Sequence, residues 1–259
     1  MDMRIVIKVG TSTLAHATGK LNIRRTGALC KALSDLKNEG YEVLLVSSGA
    51  IGMGVGKLAL AQKPQDIPTK QAAAAVGQCE LMYTYDRLFN EYGHTVAQIL
   101  LTGEDFSAKD RLENFSNTVE KLLELGVLPI INENDTIATD EIKVGDNDTL
   151  SALVAVNVQA ELLVILSDVD GLYSSDPHKD ENARFIHEVY GVTEEVLKSA
   201  GGAGSTLGTG GMRTKLVAAK LCEGRGVDTV IANGENPEIL YAIAKGEAGK
   251  YTRFYGKKK

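Results

Sequence analysis

Apolar and polar residues are arranged along this chain in blocks that predict strands and helices in alternation. Short, nearly continuous apolar runs such as Ile5–Val9, Val43–Val46 and Leu162–Leu166 predict buried strands. Between a capping Asn22 and a terminating Gly40, apolar side chains recur at helical spacing. The alternation predicts an α/β fold, a three-layer αβα sandwich with a mainly parallel central sheet.

The same patterns predict the remaining elements. They predict strands at 94–101, 127–131 and 227–231, helices at 69–91, 114–125, 214–223 and after Pro237, a helix capped by Asp146 or Asn147 that runs to about 159, a glycine-rich turn through residue 56 and a polar hairpin at 136–144. The sequence contains no internal repeat, so we expect one domain over residues 1–259. In such folds ligands bind at the carboxyl edge of the strands, and the loops that follow strands should carry the chemistry.

The overall charge argues against binding to nucleic acid or to a membrane surface. The formal net charge is −6, so any phosphate would have to be bound locally. No apolar run is long enough for a membrane helix, and the first residues do not form a signal peptide. The three widely spaced cysteines, Cys30, Cys79 and Cys222, predict buried thiols in a reducing compartment. We therefore expect a cytoplasmic protein.

Two of the loops after strands combine small residues with a possible anion site. The first, Lys8–Ser12, places a lysine at the end of an apolar strand, where it either faces a ligand or extends its ammonium group to solvent. The second, Ser47–Ala50, continues with three more glycines and could present backbone N–H groups to an anion, or could be only a flexible turn.

Two further segments are rich in acidic and amide side chains. They are Asn132–Asp135, which follows a predicted strand, and Gly145–Asp148, which precedes a predicted helix. Carboxylates at the edge of a sheet suit a ligand with an ammonium group, or Mg²⁺. A turn with a helix cap is the alternative for the second segment, although it accounts for one aspartate and not easily for both.

A fifth segment has the composition of a phosphate-binding loop. Ser167-Asp168 ends the most apolar strand, and residues 201–215 contain six glycines within eleven residues before Lys215 enters a helix. A mobile surface loop is the alternative reading. The sequence has neither a G-x-x-x-x-G-K-[ST] loop, nor a G-x-G-x-x-G turn after a strand, nor a G-x-S-x-G elbow.

These five segments, in this order, resemble those of the amino acid kinase family, and most closely the members that act on free glutamate. The resemblance extends from residue 4 to about residue 245. Acetylglutamate-specific members have a glycine where this sequence has Thr11, and Arg213 stands where a small residue is usual. Many bacterial relatives carry a C-terminal RNA-binding-like PUA domain, and we expect a short form without it.

The resemblance implies a two-lobed kinase that phosphorylates the γ-carboxylate of glutamate with ATP and Mg²⁺, the first step of proline biosynthesis. Residues 1 to about 160 would hold the amino acid, and residues from about 161 to 259 would hold the nucleotide. It also implies proline as a feedback inhibitor, glutamyl phosphate reductase as a downstream partner and a homo-oligomer.

Roles for single residues follow from the same resemblance. It implies catalytic Lys8 and Lys215, with Asp168 orienting both lysines. Glutamate would be held by Ser48, Asp135, Asp146, Asn147 and Asp148, and Asp148 is also a candidate ligand for Mg²⁺. ATP would be bound by Lys8, Ser167, Asp168, Thr209, Gly210, Gly211, Met212, Arg213, Thr214 and Lys215. The N–H groups of Gly10, Gly49 and Gly211 would add to the stabilisation of the transferring phosphate.

Other functions remain open from the sequence. A kinase of the same family could act on acetylglutamate, aspartate or a nucleoside monophosphate, although the acidic segments favour a free ammonium group. A non-catalytic amino-acid sensor is a different possibility, opposed by the presence of both lysines and the glycine loop. A Rossmann-like oxidoreductase ranks last because its glycine fingerprint is missing.

Overall fold

The strands form one large sheet with a small second sheet beside it. The computed structural model describes residues 3–16, 20–138, 147–175, 177, 180–199 and 211–257. Within them the strands are β1 (Arg4–Val9), β2 (Glu42–Ser47), β3 (Val96–Leu101), β4 (Leu128–Glu133), β5 (Leu162–Ser167), β6 (Leu172–Tyr173), β7 (Phe185–Ile186), β8 (Glu188–Val189), β9 (Asp228–Asn233) and β10 (Tyr251–Phe254). The large sheet has the order β3-β4-β2-β1-β5-β9-β10-β8, and β6 pairs with β7. Every pair in the large sheet is parallel except β9 with β10, which confirms the predicted mainly parallel sheet.

Helices cover both faces of this sheet. They are α1 (Thr11–Leu14), α2 (Ile23–Asn38), α3 (Ala50–Lys57), α4 (Ile67–Asn90), α5 (Lys109–Glu124), α6 (Asn147–Asn157), α7 (Glu194–Ser199), α8 (Met212–Glu223) and α9 (Ile239–Lys245), with a 3₁₀ turn at Gly103–Phe106. Alternate residues of the central strands enter two different cores: Ile7 packs with α2, α4 and α9, whereas Val6 packs with α5, α6 and α8. This alternation confirms the predicted three layers.

Local sequence accounts for the ends of several helices. The Asn22 side chain accepts a hydrogen bond from the N–H of Arg25 at the start of α2, as predicted. Gly40, two residues after α2, has φ of 100°, a conformation that glycine adopts without steric cost. Asp66 caps α4 in the same manner by accepting from the N–H of Thr69.

The glycine-rich segment after β2 is a helix, so the predicted turn is wrong there. Helix α3 lies so close to α4 that a Cβ atom on Gly54 would stand 1.8 Å from the carbonyl oxygen of Ala73. A Cβ atom on Gly77 would stand equally close, at 1.8 Å, to the carbonyl oxygen of Ala50. The glycines allow two helix backbones to touch, which overrides their low helix propensity.

Two of the three thiols predicted to be buried are buried. The thiols of Cys30 and Cys222 are buried and free as expected, but Cys79 is exposed on α4. The predicted hairpin at 136–144 and the capping role of Asp146 fall largely or wholly on residues outside those described. Among the helices of the described residues, none has the length and apolar character needed to cross a membrane.

Candidate active site

The carboxyl ends of four adjacent strands converge on one edge of the sheet. Lys8 in β1 is level with Val46 in β2 on one side and with Ile165 in β5 on the other. On the far side of β2, Val46 is level with Ile131 of β4. The loops that begin after Val9, Ser47, Glu133 and Ser167 therefore start side by side, as expected for a parallel sheet.

Two lysines from distant parts of the sequence meet a single buried carboxylate. The Nζ atom of Lys8 lies 2.6 Å from Oδ1 of Asp148, and the Nζ atom of Lys215 lies 3.1 Å from Oδ2. Asp148 is in the first turn of α6, and Lys215 is in α8, which packs against α6. All three side chains are buried, with Asp148 entirely so. Thr214 Oγ1 donates a further hydrogen bond to Asp148 Oδ2 at 2.8 Å.

This arrangement keeps Asp148 ionised. Burial alone would raise its pKa, but Lys8, Lys215 and the hydrogen bonds outweigh that effect and hold the pKa of the carboxyl well below its usual range. Two ammonium groups are thus fixed beside one carboxylate at the edge of the sheet. Ammonium groups held in place in this way suit the binding of a phosphoryl group.

Asp168 lies directly after β5. Its side chain is exposed, and its Oδ1 accepts a hydrogen bond from Ser167 Oγ at 3.0 Å. The family resemblance implies that Asp168 orients both lysines. In the structure, the carboxylate seen in contact with both lysines is that of Asp148. Orientation of the lysines by Asp168 stays a prediction.

A chain of amide side chains joins the ends of β2 and β4 to α6. The Nδ2 atom of Asn147 donates to the carbonyl oxygen of Ser47 at 2.9 Å, to Ser48 Oγ at 3.0 Å and to Asn132 Oδ1 at 2.8 Å. Asn132 in turn donates through Nδ2 to Gln78 Oε1 at 2.9 Å. Three of the polar segments noted in the sequence are therefore brought together. They are joined by Gln78 of helix α4, which no sequence motif indicates.

Asp135 is a second buried carboxylate, three residues after Asn132 in the chain. It is 8% exposed, and burial raises its pKa to about 6. Its Oδ1 has no hydrogen-bond partner among the described residues, and neither has Oδ1 of Asn147. Buried acceptors without donors are costly, so both atoms are suited to receive a donor from a ligand.

Backbone groups near the lysines have the features expected of an anion site. Gly10 precedes α1, and a Cβ atom there would lie 3.6 Å from Lys8 Nζ. Gly49 precedes α3 with φ of 105°, which favours glycine. Gly211 precedes α8, so the first N–H groups of that helix lie next to Thr214 and Lys215.

Some predicted nucleotide and substrate residues cannot be placed. Asp146, Thr209 and Gly210 lie outside the described residues. Met212 and Thr214 are half-buried at the start of α8, and Arg213 beside them is exposed. Within the described ranges no group of three or more His, Cys, Asp or Glu side chains could hold a metal ion.

Gln78 and Asn132 are the residues of the site that sequence reasoning underweights. Asn132 lies in the acidic and amide segment Asn132–Asp135, but Gln78 lies in an Ala-rich helix with no motif around it. Its only sequence signal is a polar residue one turn before the buried Leu81 and two turns before the buried Tyr85, on the face that packs against the sheet.

Comparison with known proteins gives close relatives over almost the whole chain. The model of the amino acid kinase family matches residues 3–233. The glutamate 5-kinase of Clostridium perfringens is 54% identical over 94% of this chain and 92% of its own length. That of Clostridium acetobutylicum is 55% identical over 94% of this chain and 91% of its own. That of Caldanaerobacter subterraneus is 54% identical over 95% of this chain but 66% of its own length.

Solved structures of more distant proteins share the fold. The UMP kinase of Ureaplasma parvum superposes with a TM-score of 0.66 at 17% identity, covering 98% of this chain and 99% of the other. The carbamate kinase of Giardia lamblia bound to AMP-PNP superposes with a TM-score of 0.70 at 17% identity, covering 99% of each chain. At this identity the likeness establishes the architecture alone.

Proposed function

The chain belongs to the amino acid kinase family, and we propose that it is a glutamate 5-kinase, which transfers the γ-phosphate of ATP to the γ-carboxylate of L-glutamate. Relatives of that name are more than half identical over nearly the entire chain. In the structure, the observation that carries the proposal is the buried Lys8–Asp148–Lys215 cluster, next in sequence to Asn147 with its unsatisfied Oδ1.

The reaction needs charge stabilisation more than proton transfer. A free γ-carboxylate, with a pKa of about 4.3, is already ionised at neutral pH and needs no general base. One of its oxygens attacks Pγ of ATP, a new O–Pγ bond forms, the bond from Pγ to the bridging oxygen breaks, and ADP leaves. The products are an acyl phosphate and ADP, with no net change in protons at the reacting atoms.

Lys8 and Lys215 offset the repulsion between the anionic nucleophile and the anionic phosphate. Asp148 keeps both ammonium groups at fixed positions and their charges paired in the absence of substrate, since both of its oxygens face lysine nitrogens. Positioning of this kind is the main protein contribution to phosphoryl transfer. The N–H groups of Gly10, Gly49 and Gly211 are placed to add to it.

The division of labour between the two halves of the chain is part of the proposal. Ser48, Asn147 and Asp135 would hold glutamate in the part up to about residue 160, with the ammonium group meeting the free oxygens of Asn147 and Asp135. The segment from Thr209 to Lys215, together with Ser167 and Asp168, would line the nucleotide in the part from about residue 161.

Mg²⁺ would enter with the nucleotide rather than occupy a preformed protein site. Kinase sites commonly bind Mg²⁺ through phosphate oxygens, water and one or two carboxylates. Asp148 is a poor candidate for such a ligand because its two oxygens already contact lysines. Bound Mg²⁺ would contribute neutralisation of the phosphate charge. Feedback inhibition by proline, contact with glutamyl phosphate reductase, a homo-oligomer and a cytoplasmic location remain predictions.

A hydroxylamine trap for the acyl phosphate tests the proposed function. Glutamate with ATP should yield a hydroxamate and an equal amount of ADP. N-acetylglutamate should react at least about 100-fold less efficiently, because it leaves buried acceptors facing an amide. Aspartate should also react poorly because it is one methylene short. Comparable kcat/KM values for glutamate and N-acetylglutamate would overturn the substrate assignment.

A further inference from the structure

We propose that Gln78 of α4 determines amino-acid specificity by donating a hydrogen bond from Nε2 to the α-carboxylate of the substrate. The inference rests on the proposed function, since it takes the substrate to be an α-amino acid with a reacting side-chain carboxylate. It adds to the site a residue that lies outside the loops after the strands.

Gln78 lies over the converging ends of the strands. It is 7% exposed, and Tyr85, two turns later on the same face of α4, hydrogen-bonds Ser47 Oγ at 2.8 Å. Gln78 thus contacts the end of β4 through Asn132, and Tyr85 contacts the end of β2 through Ser47. The close crossing of α3 and α4 at Gly54 and Gly77 holds this part of α4 against the start of α3, next to Ser48.

The hydrogen bonds of the amide chain fix which way Gln78 is turned. Asn147 Nδ2 faces three acceptors, so it must be the nitrogen. Asn132 Oδ1 accepts from Asn147 and also from the N–H of Glu133 at 2.9 Å, so Asn132 presents its own nitrogen to Gln78. Gln78 must therefore offer its oxygen to Asn132, and its two N–H donors point elsewhere.

Those donors are buried and have no acceptor among the described residues. Two other buried acceptors also lack partners among the described residues: Oδ1 of Asn147, which bonds the same Asn132 side chain, and Oδ1 of Asp135, three residues after Asn132. One donor group and two acceptors match the main-chain end of a free amino acid, which has a carboxylate to accept and an ammonium group to donate. The bond from Asn132 accounts for the oxygen of the Gln78 amide, but it leaves the buried Nε2 group unsatisfied, so a purely structural role does not account for that group.

The test compares binding of three ligands by titration calorimetry. Glutamate has both main-chain groups, 4-aminobutyrate lacks the α-carboxylate, and glutarate lacks the ammonium group. The variants are Gln78→Leu, which removes both polar atoms, and Gln78→Glu, which keeps an oxygen for Asn132 but replaces the donor. Tyr85→Phe is the matched control, because it removes a buried hydrogen bond from the same face of α4.

Both Gln78 variants should bind glutamate about 10- to 100-fold more weakly, the range for a hydrogen bond to a charged group. Their preference for glutamate over 4-aminobutyrate should shrink by the same factor, while their preference for glutamate over glutarate stays unchanged. Tyr85→Phe should lower the melting temperature and leave both preferences as in the natural protein.

Three results would overturn the inference. They are an unchanged preference over 4-aminobutyrate in Gln78→Leu, wild-type glutamate binding in Gln78→Glu, and an equal loss for all three ligands, which would indicate action through Asn132 alone. If Gln78→Leu does not fold, the near-isosteric Gln78→Glu decides. Calorimetry does not require turnover, so failure of the proposed function would be recognised separately, by a wild-type protein that forms no hydroxamate from glutamate.

Discussion

At the scale of single residues, replacing Asp148 should have a larger effect than its sequence position, which suggests a helix cap, would predict. Replacing a helix-capping aspartate by asparagine should change almost nothing, because asparagine also caps. In the structure, Asp148→Asn leaves two buried ammonium groups without their shared counter-charge. We expect a loss of about 3 kcal/mol in the free energy of unfolding and of at least about 100-fold in kcat, measured by urea denaturation and by the hydroxamate assay.

Asp228→Asn serves as the control for that prediction. Asp228 pairs with Arg253 at 2.7 Å and lies at the start of β9, whereas Lys8 lies near the end of β1, which runs in the same direction. Its replacement should lower stability slightly and leave kcat unchanged. A variant Asp148→Asn with near-normal kcat and stability would contradict the organising role of this carboxylate.

Asp135 should show the opposite relation between stability and function. Its pKa of about 6 lies above the ordinary value, so between about pH 4 and pH 6 the folded state binds more protons than the unfolded state. Stability therefore falls as pH rises through that window. Asp135→Asn should raise the free energy of unfolding by about 1–2 kcal/mol near pH 7, and by less towards pH 4.

The same substitution should raise KM for glutamate, and acidification below pH 6 should do so in the natural protein by protonating Asp135. Denaturation curves at both ends of the pH window, together with KM for glutamate and for ATP, provide the measurement. A stability gain that does not depend on pH, or an increase in KM for ATP alone, would contradict the assignment.

Residue types and order predict part of this site and leave part of it hidden. Lys8, Lys215, Ser48 and Asn147 are expected together and are found together. The partner of both lysines could not be read from the sequence, because the family resemblance gives that role to Asp168 and only the packing of α6 on α8 brings Asp148 to Lys215. Gln78 was hidden because its hydrogen-bond partner Asn132 lies 54 residues away in the chain.

At the scale of elements, apolar runs predict the central strands well because burial on both faces leaves a nearly continuous pattern. Short strands at the far edge, β8 and β10, have two and four residues and give too little pattern to recognise. Helix α3 shows the opposite difficulty, because its four glycines in or next to the helix predict a turn. The contact with α4 explains Gly54, and the positive φ of 105° explains Gly49.

That contact leads to a prediction about the two helices. Gly77→Ala would place Cβ 1.8 Å from the carbonyl oxygen of Ala50, a backbone atom that cannot turn aside. We expect a loss of about 2–3 kcal/mol in stability, as for an overpacked core, and a higher KM for glutamate, since Ala50 begins the helix that follows Ser48.

Gly56→Ala is the matched control in the same pair of helices. A Cβ atom there meets nothing within 4 Å, so the substitution should stabilise α3 by about 0.5–1 kcal/mol. Thermal melts of both variants and their KM values give the comparison. Equal stability of the two variants would contradict the account of the helix crossing.

At the scale of the whole molecule, the sheet order places β1 at the centre, where β2 and β4 lie to one side and β5 and β9 to the other. Lys8 in this central strand is joined through Asp148 to Lys215 of α8, which lies 207 positions later in the chain. The sequence predicts this convergence because all the loops concerned follow strands or begin helices at one edge. The proposed catalytic arrangement is thus a property of the complete sheet.

The proposed role of the two lysines in phosphoryl transfer is tested most directly by the rate of acyl phosphate formation in Lys215→Ala and Lys8→Ala. The rate is measured at saturating glutamate and ATP. Charge directed at the transferring phosphoryl group is worth about 3–4 kcal/mol in enzymes, so each variant should lose at least about 100-fold in kcat. Arginine should not restore the rate, since its planar group differs from a compact ammonium. A folded Lys215→Ala protein with near-normal kcat and unchanged KM for ATP would contradict the proposed role of the lysines in phosphoryl transfer.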